Sequence, residues 1–179
     1  MKLSFQIIIL ALIFNLFSCK GSAQETKLKK VTSETVSSEI KKNVFPKPLG
    51  IVNDYELIFT EPQRNKLSKT LYDYDIETTR QIVVVTINSI TPYQNIHRYA
   101  TDLGNKWGVE TKEKNNGLTI VLCKPCKQIT IATGIGTEQI LTNKICEEVI
   151  EKTIIPEFKK GEYYLGIEKG ITELISKWE

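Results

Sequence analysis

Residues 112–139 read KEKNNGLTIVLCKPCKQITIATGIGTEQ, and the fold turns on this stretch. Leu118 to Leu122 and Gln128 to Ala132 are apolar and β-branched, which predicts two strands. Lys124-Pro125 supplies the turn between them. An Asn-Asn-Gly segment leads into this hairpin and Gly-Ile-Gly-Thr-Glu leads out of it.

Upstream, Gln81-Ile-Val-Val-Val-Thr-Ile87 is an unbroken run of the kind found in strands covered on both faces. A helix start stands at Thr60-Glu61-Pro62-Gln63: a hydroxyl cap, a proline in the first turn and a glutamine three residues on. That helix is expected to reach about Thr78, with Leu67, Leu71 and Tyr74 inward. A second helix is expected over 95–107, with Gly108 as its stop. A third opens at Thr142 or Asn143 and ends near Pro156, and a fourth covers Tyr163 to Trp178. Leu49 to Tyr55 reads as a short strand or loop. The Val85–Ile120 crossover through a helix implies parallel strands, and the hairpin adds an antiparallel one. The fold class is therefore α/β: a three-layer α/β/α sandwich on a small mixed sheet of about four strands with about four helices.

The 179-residue chain carries a formal charge of +3, unevenly placed. Residues 19–48 hold seven lysines against three glutamates, whereas residues 49–179 hold 16 Lys and Arg against 18 Asp and Glu. A slightly acidic domain argues against nucleic acid, which needs a clustered basic face.

Lys2 followed by the apolar run Phe5 to Phe17 reads as an export signal, too short for a comfortable membrane span. The run ends Leu16-Phe17-Ser18-Cys19, a lipoprotein-like box in which Cys19 would carry lipid. Ordinary cleavage after Ala23 is the other reading. The expected organisation is a signal over 1–18, a flexible Lys/Ser/Thr/Glu-rich tether over 19–44 and a folded domain over 45–179. The expected location is the cell envelope, anchored by lipid on Cys19, with an unidentified protein partner.

The inventory of reactive side chains is thin. His97 is the single histidine, on a helix, and reads as a surface residue. Two-histidine zinc chemistry is excluded by count, and a Ser-His-Asp arrangement lacks its Gly-x-Ser-x-Gly turn. Cys123-Lys-Pro-Cys126 has redox spacing, but a hairpin turn lacks the helix dipole that activates a thioredoxin-type thiolate. A local disulfide and chance placement both remain open. Cys146 reads as a small apolar residue on an inner helix face. Gly134-Ile-Gly136 lacks the third glycine of a dinucleotide fingerprint, so no dinucleotide is expected. The glycines read instead as a turn with positive φ.

Polar groups gather at strand ends: Asp54, Asn115, Asn116, Glu138 and Asn143. Oxygen donors of this kind suit a hard cation such as Ca²⁺ if the fold brings them together. Taken alone, each also reads as a cap or turn former.

In order and spacing the chain resembles the TPM domain family, exported bacterial proteins with relatives in the plant thylakoid lumen linked to photosystem II repair. The matching pieces begin with Pro46-Lys-Pro48, Val52-Asn-Asp-Tyr55, Gln81-Ile-Val-Val-Val85, Trp107-Gly108 and Asn116-Gly117. They continue with Thr133-Gly-Ile-Gly136 and Glu138, Leu141-Thr142, Ile155-Pro-Glu-Phe158 and Gly161-Glu-Tyr163. The resemblance implies an α/β/α sandwich in an exported, membrane-associated setting. It implies calcium binding, as in some members, or the weak acid phosphatase activity assigned to the plant branch. The family's acidic groups map to Asp54 and Glu138. Two departures remove carboxylates: Asn115 stands where the family has Asp before Asn-Gly, and Asn143 where it has Asp after Leu-Thr. The expected function is thus a tethered binding module with Asp54, Asn115, Asn116, Glu138 and Asn143 as Ca²⁺ ligands, and the alternative is a phosphomonoester hydrolase.

Overall fold

The computed structural model describes residues 44–109 and 115–178. The expected signal, Cys19 and the tether up to Asn43 lie outside the described residues. Among the described residues no helix is long and apolar enough to cross a membrane.

One four-stranded sheet carries the domain, in the order β1 (Val52–Asp54), β2 (Gln81–Thr86), β3 (Gly117–Cys123), β4 (Gln128–Thr133). β1, β2 and β3 are parallel, with Val52 beside Val84 and Val84 beside Ile120. β4 runs antiparallel to β3, with Ile120 opposite Ile131. Because side chains alternate across a strand, β2 serves two cores. Ile82 and Val84 join Leu118, Ile120 and Ile131 on one face. Val83 and Val85 join Val121 and Ala132 on the other. The unbroken β-branched run is therefore a strand buried on both sides, as its composition predicts.

The first face is covered by α1 (Glu61–Thr78), α4 (Asn143–Val149), α5 (Ile155–Phe158) and α6 (Tyr163–Lys177). α1 starts with a complete capping box: Gln63 N donates to Thr60 Oγ1, and Thr60 N donates to Gln63 Oε1 at 2.8 Å. α2 (Ile96–Trp107) covers the other face, capped by Asn95 and ended by Gly108 at φ +69°. Gly104 lets α2 approach β3 closely, since a Cβ there would lie 2.8 Å from Thr119 Oγ1. Phe45 packs edge-on against Tyr99 of α2, and Trp107 Nε1 donates to the Pro46 carbonyl at 3.2 Å, fixing the start of the domain. A four-residue helix, α3 (Ile135–Glu138), follows β4.

Two sequence expectations need correction. Gly134 and Gly136 do not form a positive-φ turn; Gly134 has φ −67° and opens α3. The third helix is not a plain α-helix ending near Pro156. Between α4 and α5 lies a π-turn, Ile150–Ile154, in which Ile155 N donates to Ile150 O. Pro156 explains it: the ring has no N–H and would press on the Lys152 carbonyl in α register, so the helix widens just ahead of it.

Glu157 sits where α5 meets α6. Lys169 Nζ donates to its Oε1 at 2.6 Å and Lys160 Nζ to its Oε2 at 3.0 Å. Those two bonds, Lys169 first, hold its carboxyl below the ordinary carboxylate value. A depressed folded-state pKa stabilises the fold above the unfolded pKa and loses that contribution as pH falls through the folded value. Urea melts of Glu157→Gln from pH 7 to pH 3 should therefore show lower stability at neutral pH and a shallower acid decline below about pH 4.5. Parallel curves for the two proteins would show that the lysines do not hold this carboxylate.

Candidate functional site

Strand direction sorts the candidate residues into two groups. Asp54 ends β1 beside Thr86, whereas Asn115 and Asn116 precede Gly117, which pairs with Gln81 at the start of β2. The length of β2 from Gln81 to Thr86, roughly 16 Å, separates the two edges.

At the carboxyl edge Asp54 is enclosed, its side chain 0% exposed. Oδ1 accepts from Ile58 N at 3.0 Å and from Thr86 Oγ1 at 2.6 Å. Oδ2 accepts from Phe59 N at 2.9 Å and faces Arg64 Nη1 at 3.5 Å. Arg64 Nη1 also donates to the Phe59 carbonyl at 2.6 Å. Every direction around this carboxylate is taken by a donor from the protein, so it holds the β1–α1 loop and has none left for a cation. Asp54 thus stands apart from the other expected ligands, at the opposite edge of the sheet and bonded within its own loop. Sequence reading missed its partners Thr86 and Arg64. The available signal was Thr86, a hydroxyl closing an otherwise apolar strand.

At the amino edge the other candidates gather. Asn115 adopts φ +46°, a left-handed conformation that asparagine tolerates. Its carbonyl accepts from Gly136 N at 3.1 Å and Thr137 N at 3.3 Å. The Gly117 carbonyl accepts from Gly134 N at 2.9 Å and Thr137 Oγ1 at 3.0 Å. These bonds seat the Gly-Ile-Gly-Thr-Glu segment on the start of β3. Glu138 is exposed at the end of α3, and Asn143 Nδ2 donates to its Oε1 at 3.1 Å. Thr142, not Asn143, caps α4. Asn116 is adjacent, but its amide nitrogen donates to the Thr79 carbonyl at the end of α1. The fold therefore sets Glu138 against Asn143 and seats their segment on the Asn115 carbonyl, with the Asn116 amide turned toward α1.

The side chains in contact here are one carboxylate and one amide, with Asn115 joined to their segment through its carbonyl. Ca²⁺ takes six to eight oxygens, and ligand charge sets affinity. Among the described residues no three His, Cys, Asp or Glu side chains converge. The residues fit a low-charge, low-affinity oxygen site and do not fit a tight one. Asn143 offers its nitrogen to Glu138 in the structure. A half-turn of the amide presents oxygen instead, an arrangement that a shared cation would favour while Glu138 is ionised.

The remaining reactive groups are accounted for. His97 is exposed, with Nδ1 3.1 Å from Thr130 Oγ1. Cys146 is buried, its Sγ 3.8 Å from the Leu141 carbonyl, and burial, with Glu138 and Glu147 nearby, pushes its thiol up to about 11. A thiol so placed stays protonated and packs as an apolar group. Cys123 and Cys126 are joined by a disulfide across the hairpin turn, which resolves the two open readings of that pair.

Comparison with known proteins follows the same outline. The TPM domain profile matches residues 52–177. The N-terminal domain of a P. gingivalis protein superposes with a TM-score of 0.65 at 25% identity, covering 71% of this chain and 80% of that one. The BA42 protein of Bizionia argentinensis gives 0.60 at 17% identity over 69% and 83% of the two chains. The N-terminal domain of the cg2496 protein of Corynebacterium glutamicum gives 0.57 at 13% over 75% and 84%, a likeness of fold. No curated protein matches the chain.

Proposed function

The chain belongs to the TPM domain family, and on that premise we propose that it is a lipid-tethered binding module of the cell envelope carrying a weak hard-cation site at Asn115, Glu138 and Asn143. The observation that supports this reading is the direct Glu138–Asn143 contact, 3.1 Å, beside the segment that Asn115 seats. Amide oxygens can coordinate a cation but cannot trade protons near neutral pH. Asparagines at 115 and 143 therefore favour coordination over phosphate-ester chemistry at this edge. A bound cation would neutralise Glu138 and stiffen the α3–α4 connection, giving a partner a cation-dependent surface to read.

Calcium titration of the purified protein, followed by amide chemical shifts, tests the proposal. Saturable shifts confined to Asn115, Gly134 to Glu138 and Asn143 are expected, with Kd about 10⁻³ M or weaker. No shift at tens of millimolar calcium would end the cation reading. Hydrolysis of p-nitrophenyl phosphate abolished by Glu138→Gln would favour the phosphatase instead.

Restoring charge gives a sharper result. Asn115→Asp with Asn143→Asp is expected to tighten calcium binding at least about tenfold, because two carboxylates replace two amides. In chelator the same variant should melt a few degrees lower, since Asn143→Asp removes the donor to Glu138 and sets like charges together. Calcium should recover that loss. Unchanged affinity would show that these side chains do not meet at one ion.

A further inference from the structure

We propose that the opposite edge of the sheet holds a second site, for a small anionic amphiphile: an apolar chain ending in a single carboxylate, of the fatty-acid kind. A cavity of about 420 Å³ opens there between the β3–β4 hairpin and the α5–α6 corner. Its apolar wall is Leu122, Ile129, Ile155, Phe158 and Tyr163. This volume is in the range of small-molecule sites, which are concave and mostly apolar with a few placed polar groups. Binding sites in sheets with parallel strands gather at this carboxyl edge.

The placed polar groups are Lys124, Lys127 and Lys159. No carboxylate lines the cavity, and none of the three lysines forms an ion pair among the described residues. The contrast with neighbouring Lys160 and Lys169 is informative, since both are spent on Glu157. Glu56 and Glu162 line the adjoining hollow with Lys124 and Lys127; Glu56 Oε2 accepts from the Lys124 N–H at 3.1 Å and also feels the Lys124 charge, without forming an ion pair. Three cations around one apolar chamber complement a ligand with an apolar body and a negative head. A flat membrane surface would instead ask for convex, protruding apolar groups, so the concave wall favours a single inserted chain.

Local features on both sides hold this arrangement. The Cys123–Cys126 disulfide closes the hairpin turn that carries two of the lysines. Lys127 stands at φ +53°, and its N–H donates to the Lys124 carbonyl at 3.0 Å, tightening that turn. Lys124 Nζ lies 4.8 Å from the centre of the Tyr163 ring, so its charge is held over the cavity wall. On the other side the π-turn leads directly into Ile155 and Phe158, and the Phe158 ring packs tilted against Tyr163, centroids 4.9 Å apart. Such turns occur often at binding sites. The Ca²⁺ reading concerns the far edge, so failure of one leaves the other standing.

Decanoate, added to the purified protein well below its micellar concentration, is the probe, read by amide shifts. The expected result is saturable shifts at Leu122, Ile129, Phe158 and Tyr163, with decanol binding at least about fivefold more weakly. Lys124→Gln with Lys127→Gln, both exposed and remote from the core, should weaken decanoate by a similar factor and leave the melting temperature in place. Equal binding of decanol, unchanged binding by the double variant, or shifts that do not saturate at these residues would each overturn the site. A short apolar peptide with a free C-terminus that binds the same residues tenfold tighter than decanoate would overturn the fatty-acid assignment in favour of a protein tail.

Discussion

Asp54→Ala is expected to destabilise the domain by about 3–5 kcal/mol, because it removes one member of a buried, charge-assisted cluster and strands the rest. For a domain of this size that is a fall of roughly 10–20 °C in melting temperature. The loss has identifiable parts. The N–H groups of Ile58 and Phe59 and the Thr86 hydroxyl each lose an acceptor, and Arg64 loses its counter-charge. The loop they hold contains Leu57 at φ +53°, an unfavourable conformation for a branched residue, with its side chain 77% exposed. Without the carboxylate the loop keeps only the bonds of Tyr55 N and Glu56 N to Thr86, of Leu57 N to the Asp54 carbonyl, of Lys124 N to Glu56 and of Arg64 to the Phe59 carbonyl to offset that strain. Asp54→Asn should cost nearly as much despite its equal size, since its NH₂ would face donors. Calcium response at Asn115, Glu138 and Asn143 should survive both changes when measured cold enough to keep the fold. Chemical denaturation would reject this account if Asp54→Ala lay within 1 kcal/mol of the parent.

The same residue shows what a sequence reading can and cannot reach. Gln81 to Ile87 and the hairpin announce the sheet because burial on both faces demands a composition that few other settings tolerate. Thr60, Pro62 and Gln63 announce α1 because capping is local chemistry, complete within four residues. Grouping polar residues simply as "at strand ends" discards direction. Parallel strands begin at one edge and finish at the other, so Asp54, after β1, can never meet Asn115, before β3. That much follows from the parallel pairing already expected from the sequence. The pairing of Asp54 with Thr86 and Arg64 is not local, and no periodicity marks it. The lysine-rimmed cavity is likewise assembled from β3, β4, α5 and α6, whose positions on the sheet the sequence pattern leaves open.

Gly170→Val is expected to cost about 2–3 kcal/mol, which makes the α6 glycines the second test of how the domain is held together. A Cβ at Gly170 would lie 2.6 Å from both Cδ1 and Cγ1 of Ile154, the last residue of the π-turn. One turn earlier, a Cβ at Gly166 would lie 2.7 Å from the Phe158 ring and 3.0 Å from the Ile154 carbonyl oxygen. The two glycines thus form a flat strip on which the widened helix rests, and Ile154 fills it at 0% exposure. Alanine already brings the clashing Cβ, so Gly170→Ala forces the buried, β-branched Ile154 to shift, and valine adds two methyl groups to the same contact. Alanine also gains up to about 1 kcal/mol of helix propensity over glycine. That gain offsets only part of the clash, so Gly170→Ala should lose about 1 kcal/mol and Gly170→Val more. Equal stability of Gly170→Val and the parent would mean that α6 does not rest on the π-turn. Gly166→Ala extends the argument to binding, because the ring it displaces is a wall of the lysine-rimmed cavity. Its decanoate affinity should fall together with some stability, since the new Cβ displaces the Phe158 ring and presses on the Ile154 carbonyl.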